Sequence, residues 1–275
     1  MYQRVLLALD LEGVNKVIGE PYMGLEKDSE QWKIACAQAV LEVNAAATAL
    51  FEAGVRRVGL WDNHGGYSNV DPAALDPRIE LLAPRREDPR MSFIHGEFDC
   101  ICYFGYHAME GTLSGVLAHT MSSKDFQFFK LNGSYIGEVD MDAYIAASHG
   151  VPSRFYAGGD IACRQAVRAV PDIVTVTTKK ELGRNLAEFR DNEELFADIK
   201  REIVRAVSET GEVRPLAFPA IVEKSFKRTE TAERYLRRWK ERGLEVAYLP
   251  DEILGFDAHT LVITVHNIEE FILCL

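Results

Sequence analysis

Val5-Leu6-Leu7-Ala8-Leu9-Asp10-Leu11-Glu12-Gly13 is the stretch on which the fold turns. Five apolar residues in a row, cut off by two acids and a glycine, describe a short strand buried on both faces. The pattern repeats downstream. Val55–Trp61 and Cys100–Phe104 are apolar runs that also end in polar residues, and Arg78–Leu82 and Arg154–Ala157 read as further strands. Between them lie helical segments. Asp28 and Ser29 can cap a helix through Trp32, Cys36, Ala39, Val43, Ala47 and Leu50, with Gly54 as its stop. Glu138–Ser148 and Asp160–Val170 are two more. Phe126–Lys130 and Ser134–Ile136 flank Asn132-Gly133, the dipeptide of a tight hairpin. Strands alternating with helices predict an α/β fold, mainly a parallel sheet with helices on both faces.

The texture changes near residue 190. Asp191–Val207 reads as a charged amphipathic helix and Thr229–Arg242 as another with a solvated face. Pro215–Val222 holds two prolines and reads as an edge strand or connector. Leu244–Leu249 and Leu261–Val265 are strand candidates, and the last ten residues resemble a docked terminal segment. The expected organisation is a catalytic α/β domain over 1–190 and a smaller C-terminal α/β subdomain over 191–275.

A chain of 275 residues buries enough surface to fold without disulfides. Five scattered cysteines read as reduced thiols; Cys100 and Cys102 share one strand face as small core residues. Lys and Arg total 31 against 42 Asp and Glu, a net charge of −11, which argues against nucleic acid or an anionic membrane as partner. No apolar run approaches a membrane span and the N-terminus shows no address signal, so a cytoplasmic location is expected. Signatures for nucleotide hydrolysis, hydride transfer and serine hydrolysis are missing.

The chemistry sits where the strands end. Asp10 and Glu12 follow the first strand and, in an extended chain, point to the same side. Trp61-Asp62-Asn63-His64 ends the second, with Gly65-Gly66 allowing a sharp turn, and Phe104-Gly105-Tyr106-His107 ends another. The carboxyl edge of an open α/β sheet is where such folds build sites, and carboxylates with imidazoles suit zinc or a similar divalent ion. Glu138 is either a further ligand or a first-turn acid favoured by its helix dipole. His95, His149, His259 and His266 carry no motif and read as structural or solvated.

Asp10-Leu11-Glu12-Gly13, Asp62-Asn63-His64, Gly105-Tyr106-His107-Ala108, His119-Thr120-Met121 and Gly137-Glu138 stand in the order and approximate spacing of a known family. The chain resembles the zinc-dependent, self-compartmentalising D-aminopeptidases typified by the enzyme of bacterial dipeptide-transport operons. The resemblance spans roughly residues 4–180. It implies two Zn2+ per chain, with Mn2+ or Co2+ as substitutes, held by Asp10, Glu12, His64, His107 and Glu138. Glu12, amid the set, is the expected bridge, and His119 matches the catalytic histidine that binds no metal. It implies short peptide substrates, D-amino-acid peptides among them, and a homo-oligomer, a decameric ring. Three departures stand out: Ala8 replaces a serine, one extra residue separates His107 from His119, and acids follow Glu138.

Two neighbouring divalent ions can acidify a shared water and polarise a carbonyl, while a free imidazole handles the proton. Asp140 or Asp142 is the expected partner of the substrate's α-ammonium. Two alternatives remain at this level: a dinuclear amidohydrolase for an N-acyl or non-peptide amide, and a non-catalytic peptide- or metal-binding protein on the same fold.

Overall fold

The computed structural model describes residues 1–21, 23–65, 69–85 and 87–275. The apolar run forms β1 (Arg4–Leu9), followed by α1 (Glu30–Glu52), β2 (Arg57–Asp62), β3 (Glu80–Leu82) and β4 (Cys100–Tyr106). The hairpin is β5 (Phe126–Leu131) and β6 (Ser134–Tyr135). Then come α2 (Glu138–Ser148), β7 (Ser153–Gly158), α3 (Asp160–Ala169), β8 (Val174–Thr177), β9 (Lys179–Gly183) and β10 (Leu186–Phe189). The chain closes with α4 (Asn192–Ser208), β11 (Ala220–Phe226), α5 (Thr229–Glu241), β12 (Glu245–Asp251), β13 (Gly255–Val265) and α6 (Ile268–Cys274).

Six strands make a parallel sheet in the order β3-β2-β1-β4-β7-β8. Alternation along β1 sorts its two faces. Val5, Leu7 and Leu9 pack with α1 and α4, whereas Leu6 and Ala8 face the core shared with α2 and α3. Cys100 and Cys102 are both fully buried on the α1 side, as their spacing requires. Ser29 caps α1 by accepting a hydrogen bond from the Trp32 amide at 3.1 Å, and Gly54 (φ +95°) ends it in the left-handed conformation. By length and composition α1 could cross a membrane, but Ala39, Val43, Ala46 and Leu50 are taken up in the core beneath it.

A second, antiparallel sheet runs β12-β13-β11-β5-β6. Its hairpin turn uses Asn132 (φ +49°) and Gly133 (φ +78°), the two positive φ angles that Asn-Gly accommodates. The sheets do not divide at residue 190. β5 pairs with β11 (Leu131 opposite Val222), while α4, beyond residue 190, packs on α1 and on β7 and β8. Pro215–Val222 also departs from the edge-strand expectation. The prolines stay in the connector, and β11 starts directly after Pro219 with partners on both sides. Proline is excluded only from the paired residues, so a strand can begin behind it. The terminal segment is docked: Lys224, buried among aromatic rings with Phe126 4.0 Å away, donates to the main-chain oxygens of Cys274 and Leu275.

Beneath the β1 end, Glu42 of α1 is fully buried. It accepts from the Asn15 amide at 2.8 Å and from Gln38 Nε2 at 3.0 Å, and burial pushes its pKa up to about 7. A folded carboxyl that keeps its proton to about 7, against an ordinary 4.5, loses stability as pH rises through that interval. Glu42→Gln should therefore shrink the loss of unfolding free energy between pH 5 and 8 by on the order of 3 kcal/mol, measured by denaturant titration with zinc chelated. An unchanged pH dependence would place the proton elsewhere.

Candidate metal centre

The sheet order sets the location. From β1 the chain moves outward to β2 and β3, then returns to the other side of β1 for β4, so the strand order reverses between β1 and β4. A crevice opens at the carboxyl ends of the strands where this happens. Asp10 leaves β1 with its amide bonded to Phe104 O at 2.8 Å, and Gly13 returns to donate to Gly105 O at 2.6 Å. Both glycines are required by contact. A Cβ on Gly105 (φ +67°) would stand 1.9 Å from Asp10 O, and one on Gly13 would stand 2.0 Å from Tyr106 O. This close backbone approach brings the two acids of the first strand end against His107 of the other.

Asp10, Glu12, His107 and Glu138 are buried, and His64 is mostly so. His64 Nδ1 lies 2.9 Å from Asp10 Oδ1 and 3.2 Å from Glu12 Oε2. His107 Nε2 lies 3.5 Å from Asp10 Oδ2 and 3.4 Å from Glu138 Oε1. Three overlapping groups have their ligand atoms within 4.8 Å of one another: Asp10, Glu12 and His64; Asp10, His107 and Glu138; Glu12, His107 and His119. Glu12 Oε2 and His107 Nε2 are buried without a hydrogen-bond partner. Buried polar atoms are rarely left so, and a divalent cation between them would satisfy both. The mixed oxygen and nitrogen donor set suits zinc. Glu138 opens α2 as a first-turn acid, stands in the group with Asp10 and His107, and accepts from the Met121 amide at 2.7 Å through Oε1.

Residues 3–240 match the profile of the D-aminopeptidase family, peptidase family M55. The chain belongs to this family. A curated D-aminopeptidase of Bacillus subtilis (strain 168) is 23% identical over 220 residues, 78% of either chain. A solved structure, the Zn-dependent D-aminopeptidase DppA from Bacillus subtilis, described as a self-compartmentalizing protease, aligns with a TM-score of 0.82 at 19% identity. It covers 98% of this chain and 95% of its own, and the likeness is one of fold.

In this member of the D-aminopeptidase family, His119 is stacked on His107, with ring centroids 3.9 Å apart and planes 11° from parallel. Its Nδ1 is 2.8 Å from Leu117 O, a pure acceptor, so Nδ1 carries hydrogen and Nε2 is the free basic atom of the neutral ring. Burial and the neighbouring His107 charge lower its pKa to about 4. His64 and His107 are shifted the other way. Burial opposes their charged forms, but the Glu12 and Asp10 carboxylates lift His64 to about 12, and Glu138 chiefly lifts His107 to about 10. The three imidazoles are thus divided, two held towards the charged form by carboxylates and His119 held neutral beside them.

An open cleft of about 730 Å³ leads to these groups, lined further by Met23, Glu26, Lys27, Asn63, Lys124 and Arg184. Asp140 and Asp142 do not face it as free acids. Asp140 accepts from the Gly137 amide and pairs with Arg168, while Asp142 holds Arg90 through both oxygens and accepts from Tyr106 Oη. Both are committed to protein partners and leave no carboxylate for a substrate amine. Of the remaining histidines, His95 and His149 meet edge to face, His259 lies beside Phe226 O and His266 is 3.7 Å from Glu245. Gly65 takes φ +56° after His64; Gly66 lies outside the described residues.

Residues 178–181 carry functions that the sequence conceals. Thr178 Oγ1 donates to Gly13 O at 2.6 Å. Lys179, fully buried, donates to the main-chain oxygens of Glu12, Val14 and Val17 at 2.5, 2.9 and 2.6 Å. Glu181 accepts from the Val116 amide at 2.7 Å and from Ile161 and Ala162 at the start of α3. One strand thus fixes the Glu12 loop and the His119 loop together. Thr-Lys-Lys-Glu reads as an exposed charged turn, and nothing in its pattern signals inward-facing charges.

Proposed function

We propose that this chain is a zinc-dependent aminopeptidase that releases the N-terminal residue of short peptides, D-amino-acid peptides among them. In this reading Asp10, Glu12, His64, His107 and Glu138 hold two ions, and His119 moves the proton. Family membership supports the reaction class. The observation that carries the site is the pair of buried, unpartnered atoms, Glu12 Oε2 and His107 Nε2, inside overlapping ligand groups. Asp10 is favoured over Glu12 as the shared carboxylate, because its two oxygens turn separately to His64 and His107.

Bound zinc supplies Lewis acidity towards the scissile carbonyl and acidifies the attacking water. The protein's own contribution is orientation and proton handling. His119 Nε2, kept neutral, accepts the proton lost by water and returns it to the leaving amine. The stack on His107 holds that nitrogen at the centre's edge. A ring-shaped homo-oligomer, a decamer, is part of the proposal; it is supported by the self-compartmentalizing relative and by an apolar β12–β13 hairpin tip where Ile253 and Leu254 are 91% and 78% exposed.

The test combines metal content with a peptide panel. Protein reloaded with zinc and desalted should hold two ions per chain and cleave free but not N-acetylated dipeptides. His119→Ala should keep both ions and lose turnover by about a hundredfold or more, the scale of general acid–base help. One ion, or equal cleavage of the acetylated peptide, would refute the dinuclear or the aminopeptidase part respectively.

A further inference from the structure

Beyond the ligands and His119, the cleft presents three cations, Lys27, Lys124 and Arg184, and one acid, Glu26. Glu26 is already 3.5 Å from Lys124. The approach to the centre is therefore locally positive in a chain whose net charge is −11. Arg184 differs from the two lysines in how it is held. Its Nη1 donates to Ala118 O at 2.9 Å, and its main-chain oxygen accepts from the Leu117 amide at 2.9 Å. Those bonds fix it to the two residues that precede His119. Among the described residues no carboxylate lies within 4.0 Å of its guanidinium, whereas Arg90 and Arg190 each have one at hydrogen-bonding distance. One nitrogen is anchored, and donors remain for a planar acceptor.

We infer that Arg184 binds the C-terminal carboxylate of the peptide substrate. The inference rests on the aminopeptidase reading and narrows its substrate class to peptides short enough to reach from the metal centre to Arg184. A guanidinium recognises a carboxylate through paired hydrogen bonds, and an anchored side chain loses little further freedom on doing so. The position is apt, since Arg184 lines the same cleft as Asp10, Glu12, His64, Glu138 and His119, and a peptide advances only about 3.3–3.6 Å per residue when extended. A dipeptide or tripeptide would have its amine end at the metals and its carboxylate at Arg184. A blocked or distant C-terminus would forgo the contact.

The experiment compares a D-alanine dipeptide with its C-terminal amide, using zinc-loaded wild type, Arg184→Gln and Arg184→Lys, each checked for equal zinc content. Wild type should favour the acid by about tenfold or more in kcat/KM, chiefly through KM. Arg184→Gln should lose about that factor on the acid and little on the amide, with Arg184→Lys between, because lysine keeps the charge but not the fork. Equal losses on both peptides would show that Arg184 merely supports the His119 loop, and a wild type indifferent to amidation would also overturn the inference. Cleavage of neither peptide by the wild type would instead remove the aminopeptidase reading, and this inference with it.

Discussion

Asp10→Asn is expected to leave the protein without tightly held zinc after desalting, and to cut peptide hydrolysis by more than about a thousandfold. The substitution keeps the shape and removes the charge. Asn can still accept the Leu11 amide bond that Asp10 Oδ1 makes at 2.9 Å, so the strand end should persist. It cannot offer an anionic oxygen to both sides. Asp10 stands in two of the three ligand groups and faces His64 with one oxygen and His107 with the other. Losing it should weaken both proposed ion sites at once, unlike the loss of His64, which belongs to one group. Metal analysis, a melting curve and single-turnover hydrolysis together decide the matter. Two retained ions with turnover within tenfold of wild type would remove Asp10 from the centre.

Gly105→Ala should destabilise the fold by on the order of 3–5 kcal/mol and lower Tm by roughly 10 °C. Two separate costs add. Alanine at φ +67° is strained by about 1–2 kcal/mol, and its Cβ would lie 1.9 Å from the Asp10 main-chain oxygen and 2.8 Å from Val14 Cγ1. The first neighbour is backbone and cannot rotate aside, so relief requires parting the ends of β1 and β4. That movement carries Asp10 and Glu12 away from His107, and zinc affinity should fall with stability. Gly54→Ala is the control. Gly54 also has positive φ, +95°, but nothing lies within 4 Å of its added Cβ, so only the conformational cost should appear. Similar losses in the two variants would mean that strain, not contact, governs Gly105.

The parallel sheet was legible because its strands advertise themselves. An apolar run that stops at an acid or a glycine, as at Leu9-Asp10 and Phe104-Gly105, requires only local sequence to read. The same reading located Glu138 at the first position of α2, although the fivefold ligand set came from resemblance to the family. The reason given for pairing Asp10 with Glu12 does not match the structure. β1 ends at Leu9 and Glu12 sits in a turn, so the two acids converge because Gly13 folds back onto Gly105, not by strand alternation. The antiparallel sheet was hidden because its pairs, such as Leu131 with Val222, are distant in sequence. Strand β9 went unseen for another reason. Lys179 and Glu181 are buried charges satisfied by main-chain partners, and hydropathy assigns such residues to the surface.

The grip of residues 178–181 on the turns that carry Glu12 and Val116 bears on how the protein comes into being. Every proposed zinc ligand has been synthesised once Glu138 leaves the ribosome, yet Thr178, Lys179 and Glu181 follow about forty residues later. Until they dock, the carbonyls of Glu12, Val14 and Val17 have no ammonium to gather them, and Val116 has no carboxylate to hold it. All the proposed ligands thus precede, in the chain, the residues that hold their turns together. The partners of the Glu12 and Val116 turns are supplied by β9, which follows the last strand of the parallel sheet, β8, in the chain.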